Sequence, residues 1–361
     1  MSQDSARVEQ AALESDKEGN PVLALMRTSV GRNAGLVVAL LLIVVVGVIT
    51  AGEQFASVDN GLTILRAASV IGVVSIGMTF VIIGGGIDLS VGAIAALASV
   101  WSTTVATQTM AEDTHWLVIV GVAMAVALAC GLINGLLVAY GPVAPFIATL
   151  AMLASARGLA EIIANRRTQI VRVDGFNDFL RGDFLGISVL IWIFALVSVV
   201  GWVVLNRTTF GRRTVAVGGN PEAARLAGIN VKRHTVMLYV LVGFCCGIAA
   251  LMITARTTTG SSTHGVLWEL DAIGAVVIGG TLLTGGRGTV VGTVFGVLIF
   301  QTLFSVFVQN NLSSSAQQVA RGAIIVLAVL LQQRLAGSTR TSNTSTRASA
   351  PGPTAPPTSV A

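Results

Sequence analysis

The sequence predicts an all-α fold, a polytopic bundle of membrane-crossing helices. Of its 361 residues, 53% are hydrophobic and 11% are charged, whereas roughly 25% of the residues in a soluble domain are charged. The mean hydropathy is +0.82. The chain also has 40 glycines, and small residues are frequent in membrane helices because they let two backbones approach closely. Together these observations exclude an ordinary soluble domain and predict tightly packed helices in a bilayer.

About ten apolar stretches are long enough to be membrane spans, since roughly 20 apolar residues cross the hydrocarbon core. We predict spans at 35–52, 62–84, 89–108, 116–139, 143–164, 187–205, 234–256, 269–284, 289–309 and 316–333. Pro142 and Pro145 interrupt the helix between the fourth and fifth spans, which predicts a tight turn there. The membrane domain therefore covers 35–333.

Basic residues predict the orientation of this domain, because cytoplasmic loops carry an excess of lysine and arginine. They are concentrated in the loop at 206–233: Arg207, Arg212, Arg213, Arg225, Lys232 and Arg233. That loop should be cytoplasmic, and since an even number of spans lies on either side of it, both termini should be cytoplasmic too. We expect a membrane protein, with lipid rather than nucleic acid around it. The cytoplasmic ends are a segment at 1–34 and a disordered tail at 334–361, which is rich in Ser, Thr and Pro.

Two glycine-rich segments resemble each other, VIIGGGIDLSVGAI at 81–94 and VVIGGTLLTGGRGTVVGTV at 276–294. Each lies between two apolar spans, and glycine-interrupted segments at matching positions often mark the substrate path of a transporter. An even number of predicted crossings separates them, so both copies of this internal repeat should have the same orientation. The alternative is that two glycine-rich turns are alike by chance.

A short polar segment, GGNPEAARLAGIN at 218–230, lies in the predicted cytoplasmic loop. Asn220 can cap a helix, Pro221 suits its first position, Glu222 places negative charge at the positive end of the helix dipole, and Gly228 can end the helix in a left-handed conformation. We therefore predict two helical turns at 221–227. Small side chains on these turns let another protein approach closely: Ala223, Ala224 and Ala227.

Within it, EAARLAG at 222–228 resembles the coupling segment of ATP-binding cassette (ABC) importer permeases, which docks into a groove on the ATPase subunit. Over about 62–333 the chain resembles permeases of the ribose, xylose and galactofuranose type in GGIDLSVGAI (85–94), GLINGLLVAY (131–140), PFIATLAM (145–152), ARG (156–158), GGNPEAARLAGINVKR (218–233), ELDAIGAVVIGGTLLTGGRGTVVGT (269–293) and QQV (317–319). The resemblance implies a subunit of the bacterial inner membrane that imports a monosaccharide. Its implied partners are an ATPase subunit that binds the ATP, an extracytoplasmic sugar-binding protein and a second permease, identical or not.

The resemblance and the glycine pattern give two sets of candidate site residues. The residues expected to couple the chain to the ATPase are Pro221, Glu222, Ala223, Ala224 and Gly228. The candidates for the gate or translocation path are Gly84, Gly85, Gly86, Asp88, Asn134 and Arg157. The last three have structural alternatives: a helix cap for Asp88, a hydrogen bond between helices for Asn134, and an ion pair with Glu161 for Arg157.

The chain is not expected to be an enzyme or to hold a cofactor or metal. Its only lysines, Lys17 and Lys232, lie outside any phosphate-binding loop, so the energy must come from a partner. An ion-coupled carrier is one alternative, but it needs carboxylates deep in the membrane, and only Asp88 and Glu161 are candidates. A permease for branched-chain amino acids is the other.

Overall fold

The computed structural model describes residues 29–141 and 143–344 and is 78% helical. Its helices in chain order are α1 (Ser29–Phe55), α2 (Val58–Ile83), α3 (Val91–Ser102), α4 (Val105–Asp113), α5 (Leu117–Tyr140), α6 (Pro145–Ala164), α7 (Asp174–Arg181), α8 (Val189–Arg207), α9 (Thr209–Gly219), α10 (Pro221–Leu226), α11 (Val231–Thr257), α12 (Trp268–Ile278), α13 (Val290–Gln309) and α14 (Ser314–Thr344). Two antiparallel pairs of two-residue strands complete it: β1 (Gln169–Ile170) with β4 (Thr259–Gly260), and β2 (Asp183–Phe184) with β3 (Ile187–Ser188). The predicted all-α bundle is confirmed.

Seven of these helices are long and apolar enough to cross a membrane, by length and composition: α1, α2, α5, α6, α8, α11 and α13. Three of the ten predicted spans have a different form. The span predicted at 89–108 is divided, because α3 ends at Ser102 and Thr104 caps a new helix by accepting a hydrogen bond from the amide of Thr107. Where a span is predicted at 269–284, the structure has only the eleven-residue helix α12, Trp268–Ile278. Where one is predicted at 316–333, it has a shorter apolar stretch, Ser314–Leu330, at the start of α14.

Helix α2 forms the centre of the bundle, since every residue from Ala68 to Ile83 is buried. A helix that is apolar on all sides has to be surrounded by other helices. Its few polar side chains are satisfied internally: the hydroxyls of Ser75 and Thr79 donate to the carbonyls four residues earlier, and the Thr79 hydroxyl also lies 2.7 Å from that of Thr293 in α13.

The glycine content has the predicted consequence where α5 packs against α11. Both helices present glycines four residues apart, Gly131 and Gly135 on α5 and Gly243 and Gly247 on α11. A Cβ atom on Gly131 would lie 3.1 Å from the Cα of Gly243, and one on Gly243 would lie 2.6 Å from the carbonyl oxygen of Ala127. The two backbones are therefore in direct contact, as small-residue motifs allow in membranes.

Two half-length helices begin beside each other inside the bundle. The residues before α12 run along α3 in the opposite direction: Gly260 packs at Thr103, the His264 ring lies 3.1 Å from the Ser99 hydroxyl, and Gly265 packs on Gly92. Non-helical backbone leads into both α3 (residues 84–90) and α12 (residues 258–267), which therefore resemble the discontinuous helices of transporters.

The loops fall into two groups at opposite ends of the helices. In one group, the Lys232 ammonium lies 5.4 Å from the Tyr140 ring, and the amide of Gly286 donates to the carbonyl of Ile83 at 2.8 Å. In the other, strands β1 and β4 pair, and the Gln108 side chain donates to the carbonyl of Ile170 at 3.0 Å. These groups match the loops predicted to lie on the two sides of the membrane.

The last helix is held to the bundle by one ion pair. Arg321 Nε lies 3.1 Å from Asp271 Oδ1, and the guanidinium also lies 4.7 Å from the centre of the Phe304 ring. Helix α14 extends to Thr344, past the domain boundary predicted at 333. Residues 1–28 of the predicted N-terminal segment and 345–361 of the predicted tail lie outside the described residues.

Candidate functional site

The polar segment at 218–230 forms the predicted short helix, α10, with the predicted caps. The Asn220 side chain accepts a hydrogen bond from the amide of Ala223 at 3.0 Å, and Pro221 is the first helical residue. At the other end Gly228 has a φ of 83°, and the amide of Ile229 donates to the carbonyl of Ala224 at 3.0 Å. Local caps therefore stabilise a helix that is too short to be stable alone.

Most of the surface of α10 faces outward. Among the predicted coupling residues only Ala224 is buried, whereas Pro221, Glu222, Ala223 and Gly228 are exposed. The Glu222 carboxylate pairs with the Arg225 guanidinium at 3.1 Å, one turn further along the helix.

Leu226 is 80% exposed at the end of α10. The sequence analysis did not single it out, because a leucine in an otherwise apolar chain carries no signal of its own. A single exposed leucine is common on protein surfaces, so the interest of Leu226 comes from its position at the end of α10.

A packed support holds α10 in place. Helix α10 lies between α9 and α11. Asn230 caps α11, because its side chain accepts a hydrogen bond from the amide of Arg233. The buried His234 ring lies 2.9 Å from the Thr214 hydroxyl and 4.7 Å, between centres, from the Phe210 ring. These contacts join α9 to α11, so the two helices on either side of α10 are packed against each other.

The two glycine-rich segments form helix ends of the same kind. At the end of α2, the amides of Gly84, Gly85 and Gly86 donate to the carbonyls four, three and five residues earlier, respectively. The residues that end α12 show the same three hydrogen bonds: Gly279, Gly280 and Thr281. Gly85 and Gly280 have φ values of 85° and 86°, a left-handed conformation that favours glycine. We name these ends the α2 cap (84–86) and the α12 cap (279–281); the internal repeat stays a prediction, because helices commonly end in this way at glycine.

Asp88 and Asn134 meet just beyond the α2 cap. Asp88 Oδ1 accepts hydrogen bonds from the Ser90 amide at 2.8 Å and the Ser90 hydroxyl at 2.5 Å. The Asn134 side-chain amide donates to the same hydroxyl at 2.9 Å. All three side chains are buried. Asp88 therefore fixes the turn before α3 rather than capping that helix, because the cap residue is Ser90. Asn134 links the same turn to α5.

Arg157 lies apart from the other gate candidates. Its guanidinium donates to the carbonyls of Ser262 and His264, in the turns before α12. The suggested pair with Glu161 is wrong, because Glu161 lies 3.9 Å from Arg166 instead. Burial and the nearby Arg157 charge lower the pKa of His264 to about 4, so this histidine is neutral at physiological pH.

Comparison with known proteins agrees with this architecture. A family model described as the permease component of a branched-chain amino acid transport system matches residues 60–329. The ribose import permease RbsC of Bacillus subtilis is 44% identical over 304 residues, which cover 81% of this chain and 90% of that protein.

Two further relatives have similar coverage. RbsC of Escherichia coli K12 is 37% identical over 298 residues, covering 81% of this chain and 92% of that protein. The L-arabinose ABC transporter permease AraH of Azospirillum brasilense is 38% identical over 286 residues, covering 78% of this chain and 81% of that protein. No solved structure matches. The chain therefore belongs to the family of ABC transporter permeases that includes these ribose and arabinose permeases.

Proposed function

We propose that this chain is the membrane-spanning subunit of an ABC importer that carries a pentose into the cytoplasm. The observation that carries this proposal is the 44% identity to a ribose import permease across 81% of the chain. Ribose and L-arabinose, the sugars in the names of the relatives, are both pentoses. ATP hydrolysis on a partner subunit drives the transport, and a sugar-binding protein outside the membrane delivers the substrate.

The arrangement of the carboxylates favours this function over an ion-coupled carrier. Such a carrier needs acids that are free to bind H⁺ or Na⁺ within the membrane. Asp88 is engaged by Ser90, and Asp271 is paired with Arg321. Glu161 lies near the end of α6, and its side chain is 46% exposed. Asp88 and Asp271 are each engaged through Oδ1 and Glu161 is partly exposed, so the driving force is assigned to the ATPase.

Helix α10 is the proposed contact with that ATPase. It offers an exposed leucine, an exposed ion pair and small alanines on a rigid support, which suits insertion into a groove of another protein. The permease acts as a dimer, so that two such helices meet two ATPase domains. The gate is assigned to the α2 cap and residues 87–90 after it. Arg157 positions the turns before α12.

This assignment predicts the topology of the chain. A reporter fused after Arg213 should be cytoplasmic, because it enters the basic loop, whereas one inserted near Asp174 should be outside the cell. The measurement is the activity of a reporter that works in only one compartment, and matched fusions with a second reporter of the opposite requirement serve as the control. Both sites on the same side would contradict the proposed orientation.

The substrate class is tested with the purified complex of permease, ATPase and binding protein in proteoliposomes. We expect uptake of labelled ribose or L-arabinose that the unlabelled pentose suppresses and that leucine leaves unchanged. Leucine uptake without pentose uptake would contradict the assignment and favour the branched-chain amino acid alternative.

A further inference from the structure

We propose that Gly218 is a positioning residue, whose backbone contact transmits the movement of α10 to the α2 cap and to the turn after α12. The proposal rests on the assignment of α10 as the coupling helix. Gly218 lies in the last turn of α9, three residues before α10 begins at Pro221. The contact is not implied by the sequence pattern, since the segments that meet are far apart along the chain.

Three separate stretches of backbone converge at Gly218. A Cβ atom on this residue would collide with the carbonyl oxygen of Ile83 and would lie 2.8 Å from the amide nitrogen of Gly286. Those two groups are themselves hydrogen-bonded to each other at 2.8 Å. A Cβ on Gly285 would lie 2.9 Å from the Gly218 carbonyl oxygen and 3.0 Å from the Cα of Gly85. The end of α9, the α2 cap and the turn after α12 therefore touch through main-chain atoms.

Contact between backbones transmits movement better than contact between side chains. A side chain can change rotamer and absorb a small displacement, whereas close-packed main-chain atoms have to move together. One side of the contact leads through the α2 cap to Asp88 and α3. The other leads from Gly285 and Gly286 to α13. A displacement of α10 would thus reach both glycine-rich segments at once.

The reason for glycine differs among these positions. Gly85, Gly285 and Gly286 have positive φ values, so a substitution there would also strain the backbone. Gly218 is helical, and alanine is the better helix former at such a position. Alanine at Gly218 therefore adds no strain in φ, and its effect comes from the contact with Ile83 and Gly286. Gly219 is its matched control, because it lies in the same helical turn and a Cβ there would meet no atom within 4 Å.

The test compares Gly218→Ala with Gly219→Ala in the complete transporter in proteoliposomes. We expect Gly219→Ala to behave as the wild type. Gly218→Ala should retain the ATPase subunit during purification and keep basal ATP hydrolysis, but sugar uptake per ATP hydrolysed should fall about tenfold, within the usual range for coupling between sites. A merely structural defect would lower the amount of complex without changing this ratio. An unchanged ratio, or loss of the ATPase from the complex, would overturn the proposal.

A second measurement does not depend on the stability of that variant. Spin labels on Val215→Cys and Thr284→Cys, both exposed positions, report the distance between α9, which carries Gly218, and the turn after α12. The native cysteines are buried and should not be labelled: Cys130, Cys245 and Cys246. We expect the distance to stay the same with and without bound ATP, because the two segments move together. A change of several ångströms would overturn the link, whereas a wild-type complex that lacks ATP-driven sugar uptake would instead contradict the proposed function.

Discussion

Replacing Glu222 with arginine is expected to reduce sugar uptake roughly 100-fold, because like charges at a desolvated contact cost about 3 kcal/mol. The local effect on α10 is smaller. The exposed pair with Arg225 contributes ~0.5 kcal/mol, and positive charge at the start of the helix costs ~0.3–1 kcal/mol. The helix should therefore survive while its docking fails. The measurements are uptake, sugar-stimulated ATP hydrolysis and the amount of permease in the membrane.

A charge exchange separates docking from helix stability. The double variant Glu222→Arg with Arg225→Glu can restore the pair within α10 but leaves each charge in the wrong place for a partner. We expect this variant to remain inactive. Recovery of uptake would show that only the internal pair matters, and wild-type uptake in the single variant would remove the docking role of Glu222. Absence of the protein from the membrane would assign the segment a structural role instead.

Replacing Gly92 with alanine is expected to destabilise the packing of α3 against the residues before α12. Its Cβ would overlap the carbonyl oxygen of Gly265, and the Gly265 backbone in turn packs against Gly92. Overpacking a buried site costs typically 1–3 kcal/mol, and a backbone neighbour cannot relieve it by a rotamer change. We therefore expect a loss of about 3 kcal/mol and separation of the two half-helices.

The matched control for this substitution is Gly121→Ala in α5, where a Cβ would meet no atom within 4 Å. Removing a helical glycine at such a site should stabilise the protein by ~0.5–1 kcal/mol. Thermal unfolding of both variants in detergent provides the comparison. An equal Tm for the two variants would contradict the close packing of α3 against the segment before α12.

The sequence predicts most accurately the features that depend on local chemistry. The caps of α10 follow from the side chain of Asn220, the fixed φ of Pro221 and the conformational freedom of Gly228. The repeated helix ends follow from the two glycine clusters for the same reason. The full-length helices are also predictable, because their apolar stretches are long enough to cross the bilayer.

Other features depend on contacts between distant segments and could not be predicted. Uncharged residues follow α3 and α12 directly, TTVATQ at 103–108 and GGTLLT at 279–284, so the absence of charge extended the expected spans past the ends of these helices. Arg157 has an acid one turn away, yet it binds two carbonyls from a different loop. The contacts of Gly218 likewise arise only when three segments meet.

The central claim is that ATP hydrolysis on a partner, transmitted through α10, drives sugar through this chain. Its most direct test is labelled pentose uptake into proteoliposomes that hold the permease and ATPase, with loaded binding protein present, measured with and without ATP and with ion gradients abolished. We predict uptake that requires ATP and is unchanged when the H⁺ and Na⁺ gradients are removed. Uptake by the permease alone, driven by an ion gradient in the absence of ATP, would contradict the claim.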